Sequence, residues 1–432
     1  MKKNKRISKE KKNKKIRNVK KINTHKYKIL KTILILILLI TLSIIGYFIF
    51  GTLKNGGGTQ GLVATAMGQT QEEIENLEPF SALLLGSSQN MTDTIMIFKY
   101  NPSTQNAYLI SLPRDTYTGY NKENATASDK INCLYLNGGA EKTLAAVNRV
   151  TGLDLKYYVV VDTEALKALV NTIGGVYFDV PIDMNYTDKK QDLYINLKAG
   201  YQLLDGDKAE QVVRFRHNKD GSSYSFEYGD NDTGRMKTQR NFLKAVMQQT
   251  LTPTNILKIG NFLDIAQTYV KTNIPLDIMK QYIAPAVNFN VDNLETGTIP
   301  GANEKCNGVW IFIANKSDTK TYLNEMNTKL AGIDEISQEE LSNINIEILN
   351  GSGKTSTLNN VNSLLQNAGF SISKTGTTNS TEKTSIINKT KIPDNIINSI
   401  QTLLEIGETD DSPTIDSPVD ITIILGKDFN TK

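Results

Sequence analysis

The chain has 432 residues, room for two or three ordinary domains, and with 39% hydrophobic and 22% charged residues it is neither wholly disordered nor collagen-like. Its net charge of +4 is the difference between two unlike parts: residues 1–31 hold 15 Lys and Arg against the single acid Glu10, whereas the remainder carries 34 basic and 44 acidic groups. The basic excess therefore belongs to the tail and gives no reason to read the folded portion as a nucleic-acid binder.

From Thr32 to Phe50 the chain carries no charge, about the 20 residues that cross ~30 Å of hydrocarbon as a helix. No small-residue cleavage site precedes Gly51, so the segment reads as an uncleaved anchor. The lysines before it place the N-terminus in the cytoplasm and the bulk of the chain outside, at the cell membrane. This divides the chain into a basic cytoplasmic tail (1–31), a transmembrane helix (32–50) and an extracytoplasmic linker (51–75). Within the linker, the glycine-rich run 54–61 reads as a flexible tether.

Short apolar runs at 81–86, 93–99 and 107–112 predict strands, and helical spacing follows over 140–150. A strand at 157–161, a helix at 163–172, a strand at 174–180 and an amphipathic helix at 234–250 continue the alternation. Residues 214–216 are read as extended, and 251–336 shows no dominant period. The expected architecture is α/β (α+β), a central mixed sheet flanked by helices over 76–335. A small C-terminal α/β domain follows over 343–430, built on strands at 346–350 and 421–426 and a helix at 358–368, with the polar stretch 374–384 as a loop.

Chemistry-bearing residues are few. Cys133 and Cys306 are the only cysteines; outside the cell they could form one bridge, but two free buried thiols are the favoured reading. His25 lies in the tail, which leaves His217 as the one remaining histidine, so a multi-histidine zinc site is excluded. Gly353, Lys354 and Thr355 resemble the end of a phosphate-binding loop, but the glycine required five residues earlier is Ile348.

Arginine is more informative. Outside the tail there are 28 Lys but six Arg: Arg114, Arg149, Arg214, Arg216, Arg235 and Arg240. All six lie within 127 residues, which points to a task needing arginine's planar fork, bidentate binding of phosphate or carboxylate oxygens. Arg114 and Asp115 follow a strand and Pro113. Arg214 and Arg216, two apart, would share one face of a strand. Arg235 and Gln239, four apart, share one helix face, with Asp230 and Asp232 just ahead. Converging, these clusters would neutralise a pyrophosphate, and Asp93 at a strand start is a candidate Mg²⁺ ligand.

The string resembles the LytR-CpsA-Psr family through LLGS (84–87), TDTIMI (92–97), LISLPRDTY (109–117), KIN (130–132), NGG (137–139), TIGGV (172–176), LDG (204–206), VRFRH (213–217) and GRMKTQR (234–240). The resemblance implies an enzyme of Gram-positive-type envelopes that transfers an anionic glycopolymer from undecaprenyl pyrophosphate to a peptidoglycan hydroxyl, leaving a phosphodiester. By position it implies pyrophosphate binding by Arg114, Lys130, Arg214, Arg216, Arg235 and Gln239. Asp93, Arg114 and Asp232 are the catalytic candidates, and Asp93 the Mg²⁺ ligand. The family also buries the prenyl chain between sheet and helices, and residues 343–427 look like its frequent C-terminal domain. This chain departs from the pattern at Ser88, where the family has Asp, and at Met91, where it has Arg. Both departures weaken the expected Mg²⁺ site and phosphate grip, leaving a non-catalytic polyprenyl-phosphate-binding or regulatory protein as the alternative.

Overall fold

The computed structural model describes residues 37, 40–88, 91–229, 231–333, 336–406, 409–410 and 417–429. They fall into two compact units, Met1–Gln71 and Glu72–Lys432. In the first, residues 40–54 are helical and expose Ile40, Leu42, Ile44, Ile49 and Phe50. Among the described residues no helix is long and apolar enough to cross a membrane. Of the expected span 32–50, residues 32–36, 38 and 39 lie outside the described residues, as does the tail 1–31. The run 54–61 is not the open tether its glycines suggest. It turns at 55–57 and enters helix α1 (Gly58–Met67), because Gly56 and Gly57 take φ of 87° and 75°, backbone closed to most side chains.

The second unit begins with β1 (Phe80–Ser88), β2 (Met91–Asn101) and β3 (Asn106–Ser111), an antiparallel meander. Helix α2 (Ile131–Thr151) starts earlier than its spacing suggests and is kinked at Gly138–Gly139, where Gly139 has φ 66°. Strand β4 (Tyr157–Asp162) returns parallel to β1, and Asp162 caps α3 (Thr163–Thr172) by accepting from the Ala165 amide.

Next come two hairpin-like ribbons. β5 (Val176–Val180) pairs with β8 (Gly200–Leu204), and β6 (Met184–Asp188) with β7 (Leu193–Leu197). Helix α4 (Gly206–Arg214) follows, capped by Asp205, and then α5 (Asn231–Thr250). Residues 214–216 are thus not the expected strand: Arg214 ends a helix, Phe215 is buried, and Arg216 sits on the exposed turn-out.

The stretch without a clear period holds α6 (Ile259–Tyr269), β9 (Lys271–Thr272), β10 (Leu294–Thr298), the ribbon β11 (Gly301–Cys306) with β12 (Val309–Ala314), and α7 (Lys316–Leu330). The central mixed sheet has the order β10-β3-β2-β1-β4-β9. One face, with Leu83, Leu85, Ile95 and Ile97, packs on α2 and α7 through Val147 and Leu330. The other, with Met96 and Leu109, meets Leu243 and Met247 of α5. Alternation along each strand serves both layers, the period-2 reading of a sheet covered on two sides.

The C-terminal domain is a five-stranded sheet, β14-β13-β17-β15-β16, formed from β13 (Asn345–Asn350), β14 (Ser371–Thr377), β15 (Ser385–Asn388), β16 (Thr409–Asp410) and β17 (Ile421–Leu425). Helices α8 (Thr355–Asn367) and α9 (Asp394–Leu404) cover it. The polar run 374–384, expected as a loop, begins as strand, since β14 lends its backbone to β13 whatever its side chains. Cys133 and Cys306 are free, as expected, but half-buried rather than buried.

Candidate active site

Where β1 ends and β2 begins, a cavity of about 410 Å³ opens between the sheet, α3, α4 and α5. Its inner wall is apolar: Leu84 and Met96 from the sheet, Leu166 and Leu169 from α3, and Phe242, Leu243 and Val246 from α5. Its mouth is basic, lined by Arg114, Arg214, Arg216, Arg235 and His217. An apolar channel ending in guanidinium groups suits an amphiphile with a long hydrocarbon and an anionic head.

Each mouth residue has a local reason for its place. Arg114 leaves the sheet right after Pro113, which cannot extend a ladder. Its Nη1 lies 2.7 Å from Asp93 Oδ1 and its Nε 3.3 Å from Asp232 Oδ2. Asp232, in the first turn of α5 where the helix dipole favours an anion, ties three arginines together. Besides Arg114, its Oδ1 is 3.3 Å from Arg235 Nη2 and 3.8 Å from Arg216 Nη2. Arg214, the last residue of α4, donates through Nη1 to Glu210 Oε1 at 2.7 Å and through Nη2 to Gln191 Oε1 at 3.1 Å.

Glu210 is itself fixed from the far side by Lys167 Nζ, 2.8 Å from its Oε2. Burial raises the Glu210 carboxyl, but the bonds from Lys167 and Arg214 outweigh that and hold it below the ordinary glutamate value. For Arg114 burial acts against the charge, yet Asp232 and Asp93 more than offset it and raise its pKa. Burial wins at Arg235, which is lowered despite Asp232. A guanidinium stays protonated through all of this, so the mouth remains positive.

Two buried polar atoms here have no protein partner, Arg235 Nε and Gln239 Oε1, although Gln239 Nε2 donates to the Val213 carbonyl at 2.9 Å. Both residues line the cavity, and the buried Arg235 Nε–H, without a protein acceptor, is a donor suited to an anionic group.

The structure brings Asp93, Arg114, Arg214, Arg216, Arg235 and Gln239 to one cavity, with Asp232 bonded behind three of the arginines. Lys130 does not line it; its ammonium pairs with Asp115 at 3.2 Å, beside Arg114. Asp230 lies outside the described residues. The remaining two arginines serve elsewhere: Arg240 donates to Ser111 Oγ and Thr298 Oγ1, pinning α5 to β3 and β10, and Arg149 donates to the Thr118 carbonyl. Sequence reasoning missed Tyr186, Gln191 and Leu193 of the β6–β7 ribbon, which wall the cavity. It also missed Glu210, whose i,i+4 spacing to Arg214 was a readable signal.

Could these residues hold a divalent cation? Among the described residues no three His, Cys, Asp or Glu gather as a metal cage. Asp93, with one oxygen on Arg114 and its side chain 37% exposed, is a carboxylate at the mouth itself, and Ser88 lines the same cavity. That donor set fits Mg²⁺ only as an ion taking most of its ligands from substrate phosphate and water.

The profile of the LytR_cpsA_psr family matches residues 58–328, and that of the LytR cell envelope-related transcriptional attenuator matches residues 343–429. The polyisoprenyl-teichoic acid–peptidoglycan teichoic acid transferase TagU of Bacillus cereus is 30% identical over 272 residues, 61% of this chain and 83% of that protein. TagU of Bacillus anthracis is 30% identical over 270 residues, 60% of this chain and 82% of that one. Among solved structures, protein gbs0355 of Streptococcus agalactiae superposes with a TM-score of 0.50 at 22% identity, covering 60% of this chain and 90% of that chain, a likeness of fold alone.

Proposed function

This chain belongs to the LytR_cpsA_psr family, and from that premise we propose that it transfers an anionic glycopolymer from undecaprenyl pyrophosphate to a hydroxyl of peptidoglycan. The observation that carries the reading is the coincidence, in one cavity, of an apolar channel and four arginines at its mouth. Its TagU relatives carry the names of teichoic acid–peptidoglycan transferases. The prenyl chain lies along Leu84, Met96, Leu166, Leu169 and Val246, and the pyrophosphate meets Arg114, Arg214, Arg216, Arg235 and the amide of Gln239. A peptidoglycan hydroxyl attacks the phosphorus that bears the glycopolymer. The new O–P bond forms as the bridging P–O bond breaks, undecaprenyl phosphate departs, and a phosphodiester remains. In this reading the Asp93 carboxylate either assists the attacking hydroxyl by taking its proton or serves as the Mg²⁺ ligand. The guanidinium groups take up charge on the departing phosphate, positioning and neutralisation being the main demands of phosphoryl transfer.

Mg²⁺, when bound, would add charge neutralisation at the phosphates, with Asp93 as its protein ligand. Calorimetric titration of the lipid-bound protein with Mg²⁺ is expected to give heat that vanishes in Asp93→Asn; equal heats in both would remove Asp93 from this role.

An extracytoplasmic reaction needs a donor that carries its own energy, as a pyrophosphate does. It also accords with anchoring by residues 32–50 with the N-terminus in the cytoplasm. The reading is tested on the lipid. Polyprenyl phosphate is expected to co-purify with the protein and be found by mass spectrometry. Leu169→Trp, which fills the channel, is expected to lower affinity for long-chain polyprenyl phosphate roughly tenfold, about 1.4 kcal/mol. Little change is expected with a chain of two isoprene units, and equal loss for both lengths would mean the channel does not hold the tail.

A further inference from the structure

A second cavity of about 760 Å³, larger than the first, lies between the central sheet and the C-terminal domain. It is lined by Phe80 and Tyr157, which open β1 and β4, by Tyr282, and by Lys383, Glu405 and Phe429 of the C-terminal domain. Since β1 runs nine residues from Phe80 here to Ser88 at the donor mouth, eight rises of about 3.3 Å set the two sites about 26 Å apart. We propose that this interdomain cleft binds the uncharged sugar backbone of a glycan strand, that of the peptidoglycan acceptor polymer. The inference rests on the reading of peptidoglycan as acceptor given above.

Three observations carry it. The first is chemical. The Phe80 and Tyr157 rings stack at 5.7 Å and 15°, and Tyr282 leans on Phe80 at 5.1 Å, so three half-buried rings share one wall. The amides of Asn76 and Gln281 and the hydroxyls of Ser81 and Thr384 complete the lining. Sugar rings offer an apolar C–H face to aromatic carbon and hydroxyls at their edge, a match for this mixture.

The second observation is charge, and it decides between the polymers the enzyme handles. The lining holds Lys99, Lys156 and Lys383 against Glu78, Asp154, Glu405 and Asp428. Among the described residues the lining thus has no cationic excess to attract a polyanion, unlike the arginine mouth.

The third is rigidity. Lys99, only 4% exposed, donates to Glu405 Oε1 at 2.6 Å and Asn327 Oδ1 at 3.2 Å. Asn101 Nδ2 donates to Thr402 Oγ1 at 2.8 Å, and Ser399 Oγ to the Ala331 carbonyl at 2.6 Å. Buried polar contacts fix the two walls in one register, so the cleft exists before a ligand arrives.

The test is co-sedimentation of the full chain in detergent with insoluble peptidoglycan stripped of teichoic acid. The chain is expected to bind, and Asn76→Trp at the exposed rim and Tyr282→Ala are each expected to weaken binding roughly tenfold. Polyprenyl phosphate affinity should stay unchanged in both variants, and Arg114→Ala should still sediment with the polymer. Three results would overturn the proposal: no binding by the unaltered chain, undiminished binding by both cleft variants, or loss of binding in Arg114→Ala. Competition by soluble teichoic acid as effective as that by peptidoglycan fragments would overturn it too. Failure of the donor reading appears separately, as absent polyprenyl phosphate binding in the unaltered chain.

Discussion

Arg114→Ala is expected to lower kcat/KM for polymer transfer by about 10²–10³-fold, near 3–4 kcal/mol of transition-state stabilisation, with the sheet still folded. Arg114 is one of four guanidinium groups at the mouth, but it alone holds both Asp93 and Asp232. Its removal takes away a phosphate contact, leaves Asp93 without its guanidinium partner to repel the pyrophosphate, and takes from Asp232 one of its three arginines. Arg114→Lys separates the two effects: an ammonium keeps the charge but cannot fork between two carboxylates, so it should recover affinity for the lipid phosphate more than turnover. The check is a transfer assay with lipid-linked polymer, run beside circular dichroism. An Arg114→Ala enzyme of ordinary kcat/KM would remove the arginine mouth from catalysis.

Gly234→Ala should do comparable damage by a purely steric route. A Cβ at Gly234 would stand 2.1 Å from the Gly229 carbonyl oxygen and 2.6 Å from the Tyr224 ring. Neither can yield cheaply, since the carbonyl is backbone and Tyr224 is packed edge-on to Phe215 and stacked on Tyr228. The first turn of α5 must therefore move, and Asp232 and Arg235 move with it. A displacement near 1 Å costs on the order of 10² in rate, and the overpacking itself about 1–3 kcal/mol of stability. Turnover measured well below the melting transition, together with calorimetry, separates the two losses. A normal rate with normal melting would show that the turn absorbs the methyl group.

Some of this was legible in the residues because the chemistry allows few substitutes. Only arginine presents a planar, permanently charged fork, so six arginines among 28 lysines outside the tail marked the anion site before any coordinates. The apolar runs of β1 to β3 marked the sheet because each packs on both faces, and that of β4 because Val160 joins the same core. Other elements stayed hidden. Strand β10, Leu-Glu-Thr-Gly-Thr, has almost no apolar signature, being an edge strand defined by its pairing with β3. Arg214 and Arg216 looked like one face of a strand, since a helix end and a strand look alike over three residues.

By itself the sequence determined the family, the order of the main strands and helices, and the residue types at the donor site, all of which depend on local pattern and side-chain chemistry. The tertiary structure decided which of those residues meet. Arg235 and Arg240 sit on one helix five residues apart, about 140° around its axis at 100° per residue, so one turns to the cavity and the other to Ser111 and Thr298. Lys99 reads as one more strand lysine until folding sets it against Glu405, 306 residues later, and closes the cleft between the domains. Distances of that kind are fixed by long-range packing, and no local pattern encodes them.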